Sequence, residues 1–159
     1  MRRKLIELVT GMLLILVTGL FWGTWFSLSR TMEGLSAETF LTIGKEIIKN
    51  VALPMSIIMP ASLVGLIILL SRSWKKRAPY FYCLLVTLLL FVVALIITVA
   101  IEVPMDNKIK TWEVSTIPAE WTAIRDRWEY YHTMRTFVSL GAMVFFITAI
   151  MNRDIKTNT

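Results

Sequence analysis

Trp121, Arg125, Trp128, His132, Arg135 and Ser139 follow one another at spacings of four, three, four, three and four residues. That spacing places side chains on a single face of an α-helix. Two guanidiniums, one imidazole and two indoles on one face are the parts of a small-molecule site, in which flat apolar walls surround a few polar groups. His132 is the only histidine in the chain and so the only side chain whose ordinary pKa lies near neutrality. Glu102 and Asn107, at the end of the preceding apolar segment, are expected to face this stripe, with Trp112 further along the same connection. A bland reading stands beside this one. Arg125 and Arg127 would pair with Glu120, Asp126 and Glu129 on a solvated helix, the tryptophans would form an interfacial belt, and His132 would be a hydrogen-bonded structural residue.

The elements that position the stripe are membrane helices. Hydrophobic residues make up 56% of the 159-residue chain, and mean hydropathy is +0.65. A single soluble core of that size cannot bury so much apolar surface. Leu5–Phe26 carries one charge, Glu7, near its start, and Val51–Leu70 and Tyr80–Ile101 carry none. A fourth run, Phe137–Met151, must begin near Thr133 to reach the roughly 20 residues that cross a hydrocarbon core of about 30 Å. The expected fold is therefore all-α, a four-helix transmembrane bundle in a single domain, 1–159, with helices at about 5–26, 51–70, 80–103 and 133–151. The first run is read as a retained helix, not a signal peptide, because large aromatics at Trp22, Trp25 and Phe26 offer no small-residue cleavage site.

The connections carry structure of their own. Phe40, Ile43, Ile47 and Val51 share a face opposite Lys45 and Lys49, behind Ser36 as N-cap and Glu38 in the first turn. This predicts an amphipathic helix in the first outer connection. Pro54 and Pro60 interrupt helix 2, either as a packing bend or to widen a cavity in the outer half of the bundle. Pro104 predicts that helix 3 stops near Val103, leaving Glu102 at the outer mouth. Pro118 suits a first helical turn, so a helical extension should run from there into helix 4. Gly11, Gly19 and Gly23 allow close helix contact, read as packing within the bundle, with an oligomer through Gly19 and Gly23 as the alternative.

Charge sets the expected orientation. Arg2, Arg3 and Lys4, then Arg72, Lys75, Lys76 and Arg77, then Arg153 and Lys156 are basic segments that alternate with mixed-sign connections. The positive-inside rule then places both termini in the cytoplasm and the protein in the cell membrane. The net charge of +6 is accounted for this way, and no nucleic acid is expected as a partner. The expected partners are the lipid bilayer and a lipophilic small molecule. Cys83 is the only cysteine, so no cysteine metal cluster and no intrachain disulfide is expected. Phosphate-cradling, dinucleotide and zinc motifs are missing from the sequence. One histidine excludes a bis-histidine haem within one chain. The uncharged helix centres argue against an ion-coupled transporter.

Three segments carry a family resemblance: Gly-Leu-Phe-Trp-Gly-Thr-Trp-Phe-Ser at 19–27, Glu-Val-Pro-Met-Asp-Asn-Lys-Ile at 102–109, and Arg-Asp-Arg-Trp-Glu-Tyr-Tyr-His-Thr-Met-Arg at 125–135. Together they resemble the anthrone-oxygenase-like family, in its bacterial branch of four-helix membrane proteins mostly labelled as a domain of unknown function. Pro104, Asn107, Trp112, Arg125, Trp128, His132 and Arg135 match its pattern. The resemblance implies a cofactor-free oxygenase or oxidoreductase that uses dioxygen on a lipophilic aromatic or quinone-like compound. Under that implication His132 would take a proton from an acidic C–H beside a carbonyl. Arg135, Arg125 and Asn107 would hold the resulting enolate oxygen, Trp128 would be a stacking wall, and no metal would be involved. The alternative from another class is a non-catalytic accessory or lipophile-binding protein. An enzyme needs a cavity that reaches His132, whereas a strut needs these side chains saturated by one another.

Overall fold

The computed structural model describes residues 2–32, 34–74 and 79–153. Lys75, Lys76, Arg77 and Lys156, used in the charge reading, lie outside the described residues. Helix α1 (Arg2–Thr24) runs on through a π-helical turn, Trp25–Ser29, and a short helix, Arg30–Met32. Helix α2 (Ala37–Ser73) returns. Helix α3 (Pro79–Ile97) continues through a second π turn, Thr98–Glu102, into Val103–Lys110. After a 3₁₀ turn at Val114–Thr116, helix α4 (Trp121–Met151) closes the bundle. The helices pack in cyclic order, α1 on α2, α2 on α3, α3 on α4 and α4 on α1, with the α3–α4 contact the most extensive. All four are long and apolar enough to cross a membrane. The result is a multi-pass, all-α membrane protein. An ion pair of 3.0 Å between Glu7 and Arg153 places the start of α1 and the end of α4 at one end of the bundle.

Three local expectations change. The amphipathic segment is not a separate surface helix. It is the first part of the 37-residue α2, which at 1.5 Å per residue is about 55 Å long and overshoots the hydrocarbon core. Ser36 caps it, its side chain accepting from the Thr39 N–H at 3.3 Å. Helix α3 does not stop at Val103. The turn before Pro104 widens, so that the Val103 N–H bonds to the Thr98 carbonyl, five residues back. A π turn of this kind absorbs the backbone bond that proline cannot make, and the helix continues. Helix α4 begins at Trp121, three residues after Pro118, behind a 3₁₀ turn closed by reciprocal Glu113 and Thr116 capping bonds.

Packing among lipid-embedded helices cannot draw on the hydrophobic effect, so close van der Waals contact between small residues takes its place. Ser62, Thr87, Ala94, Thr136, Ser139, Ala142 and Ala149 are all buried accordingly. Gly65 is where α2 meets α1, because a Cβ there would collide with Thr10. Gly11 faces Phe146. Gly19 and Gly23 do not pack within the bundle: both are exposed and a Cβ on either would meet nothing within 4 Å. A second apolar cluster of Met32, Phe40, Leu41, Ile109, Trp112 and Trp128 caps the bundle at the end opposite the termini.

Candidate functional site

A cavity of about 440 Å³ lies in the half of the bundle beneath this cap. Its floor comes from α1 and α4: Leu20, Phe21 and Thr24 on one side, Trp128, His132 and Arg135 on the other. None of these six is exposed. Its remaining walls are the first half of α2 and the end of α3 with its extension. Pro60 lines it, so one of the two α2 prolines does stand at the cavity. Most walls are apolar, and Asp106, His132 and Arg135 form a polar corner.

The stripe on α4 faces inward as its spacing requires. Trp128, His132 and Ser139 are buried, while Arg127, Tyr130, Met134 and Phe137 on other faces are exposed. The indole of Trp128 stacks flat on the imidazole of His132, with centroids 4.8 Å apart and planes 4° from parallel. Phe21 meets His132 edge-on at 6.3 Å and lies 4.2 Å beneath the Arg135 guanidinium.

Arg135 is the centre of the corner. It forms an ion pair with Glu102 through Nη1, and the same nitrogen donates to Thr98 Oγ1 at 3.3 Å. Its Nε and Nη2 donate to His132 Nδ1 at 3.2 and 2.8 Å. A guanidinium has only donors, so Nδ1 must be the acceptor and the proton of a neutral His132 sits on Nε2. Nε2 is buried and makes no hydrogen bond among the described residues. The one basic lone pair of His132 is thus already engaged by Arg135. In this arrangement His132 orients the guanidinium and offers no free lone pair to a substrate.

Glu102 is not at the outer mouth. It is 1% exposed and does not line the cavity, standing behind Arg135 with its second oxygen 3.8 Å from His132 Nδ1. The π turn explains the change, since it carries Glu102 inward instead of ending the helix there. Asn107 is exposed at the cavity rim. Trp112 and Arg125 are not brought to the cavity. Trp112 is buried in the cap, where its carbonyl accepts from Lys45 Nζ. Arg125 pairs with Asp126 at 2.7 Å, lies over Trp121 and reaches the Met32 carbonyl. The residue that spacing on α4 could not reveal is Asp106. It lines the cavity, and one oxygen accepts from Trp128 Nε1 at 3.2 Å. The available signal was its position four residues after Glu102, which a helix uninterrupted at Pro104 would have placed on the same face.

Residues 46–145 match the family described as anthrone oxygenase. The chain belongs to the anthrone oxygenase family. No curated protein and no solved structure matches it. The matched range takes in the cavity's walls on α2 and α3 and the whole polar corner of Asp106, His132 and Arg135, while the α1 floor and the Met32, Phe40 and Leu41 part of the cap lie before it. The cavity falls within the roughly 300–1,000 Å³ usual for small-molecule sites. Among the described residues no group of three or more His, Cys, Asp or Glu side chains is placed to hold a metal ion.

Proposed function

We propose that this member of the anthrone oxygenase family is a membrane oxygenase for a lipophilic aromatic compound with an acidic C–H conjugated through the ring system to a carbonyl. The supporting observation is the polar corner, Asp106, His132 and Arg135, set in a mostly apolar cavity of about 440 Å³. The substrate ring lies against Trp128 and Phe21, with its carbonyl oxygen toward Arg135. Proton loss from the C–H sends the electron pair onto that oxygen, where the guanidinium stabilises the enolate. Asp106, whose second oxygen makes no hydrogen bond among the described residues, accepts the proton, and His132 holds Arg135 in place. His132 itself becomes the base if the carbonyl draws Arg135 away from Nδ1. Dioxygen then oxidises the enolate. For anthrone, one oxygen atom enters the anthraquinone and the other leaves as water. The charge pattern supports a cell-membrane location with both termini cytoplasmic, which puts the cavity in the outer half of the bilayer.

The test is oxygen uptake by the protein in phosphatidylcholine nanodiscs supplied with anthrone. The expected result is one dioxygen consumed per anthraquinone formed, at a rate well above protein-free discs. Uptake no faster than in those discs, with anthrone and quinols alike, sinks the enzymatic reading and leaves a lipophile-binding protein.

A further inference from the structure

The cavity is lopsided in its exposure. Its floor residues on α1 and α4 are all covered, but Ala52, Ser56 and Pro60 on α2 line it and are exposed. Val99 and Val103 on α3, 58% and 42% exposed, do the same. Each set repeats every four residues, so each is one stripe along its helix. Two such stripes, lining one cavity from neighbouring helices, are the lips of a slot. From Ala52 to Pro60 it runs about 12 Å along the bundle.

Depth decides what the slot opens onto. Ala52, Ser56 and Pro60 fall inside the uncharged run Val51–Leu70, and Val99 inside Tyr80–Ile101. At those positions the surface is surrounded by hydrocarbon, not water. Only beyond Val103 does the rim turn polar, at Asn107 and Lys110. We infer that the ligand reaches the polar corner sideways, from the outer leaflet through the slot between α2 and α3, and that the site is built for a molecule already dissolved in the bilayer. Such a molecule is an amphiphile: a carbonyl or phenol end lodged at Arg135 and an apolar remainder held inside the apolar walls of the cavity, behind the lips. The small side chains of Ala52, Ser56, Val99 and Val103 at the lips leave room for a flat ring to slide past, where larger side chains would interlock.

This inference rests on the proposed function for its ligand class but not for its test, which needs binding alone. The probe is 1-hydroxyanthraquinone, a product-like compound that needs no turnover, and the readout is its quenching of tryptophan fluorescence in phosphatidylcholine nanodiscs by stopped flow. Phenylalanine at both Ser56 and Val99 fills the slot at exposed positions, where the fold is not strained. The expected result is association and dissociation both slowed at least tenfold, with the dissociation constant changed less than threefold, because a gate alters rates and not the end states. Asn107→Phe, at the water-facing rim, should change neither rate by more than twofold. The inference is overturned if Asn107→Phe slows binding while the slot variant does not, since the route is then from water. It is overturned equally if the slot variant weakens binding without slowing dissociation. The single variants Ser56→Phe and Val99→Phe, each expected to show part of the slowing, replace the pair if the double variant does not purify. Binding with unaltered kinetics removes lateral access alone, whereas absent oxygen uptake removes the enzymatic reading alone.

Discussion

Two buried carboxylates anchor this bundle, one at each end, and their surroundings follow opposite plans. Near the termini, Glu7 accepts from the Tyr80 hydroxyl at 3.0 Å, Arg3 at 3.1 Å and Arg153 at 3.0 Å. Both its oxygens are engaged, and none of the four residues lines the cavity. At the other end, Glu102 and Arg135 are paired, but the pair stands beside open volume. There His132 Nε2 and one oxygen of Asp106 make no hydrogen bond among the described residues. Residue types alone do not separate the two clusters, since each combines acid, arginine and an aromatic. What separates them is satisfaction. A saturated cluster fastens helices, and an unsaturated one beside a cavity is left with something to bind.

The comparison breaks most sharply at Arg135. Arg135→Met leaves Glu102 buried without its cation, which should cost about 3–5 kcal/mol, read as a large fall in thermal unfolding temperature. Adding Glu102→Leu should restore most of that stability, since an apolar pair can replace a buried ion pair, while oxygen uptake stays absent. Recovery of activity in the double variant would refute the role of Arg135. Asp106→Asn comes next. Its amide oxygen can still accept from Trp128, so stability should hold near wild type while turnover of anthrone falls by at least about 100-fold, as for loss of a general base. His132→Gln should cost less, because a glutamine oxygen can accept from Arg135 in place of Nδ1. A loss reaching roughly 100-fold or more would return the base's role to His132. The smallest functional effect belongs to the saturated cluster: Glu7→Gln should cost about 1–3 kcal/mol of stability and leave oxygen uptake within twofold of wild type.

Several of these features were legible in the chain. The inward face of α4 followed from the spacing of Trp128, His132 and Ser139, because a helix fixes angles between residues of known separation. The Ser36 cap followed in the same way. Pro104 misled, since proline marks a missing backbone bond but does not say whether the helix ends or widens to a π turn. That one choice moved Glu102 from the mouth to the interior and concealed Asp106. Gly19 and Gly23 misled for a related reason: small residues permit close packing, but a neighbour must be present to use them.

Sequence by itself determined the four apolar spans, the amphipathic start of α2 and the residues sharing the α4 face, because length, hydropathy and helical period are local quantities. Tertiary structure decided which of those residues meet. Only the packing of the helices against one another shows that Arg135 of α4 pairs with Glu102 of the preceding π turn, that Trp112 and Arg125 belong to the cap, and that Ser56 and Val99 line the same cavity. Such facts depend on distances between segments far apart in the chain, and no spacing along one helix contains them.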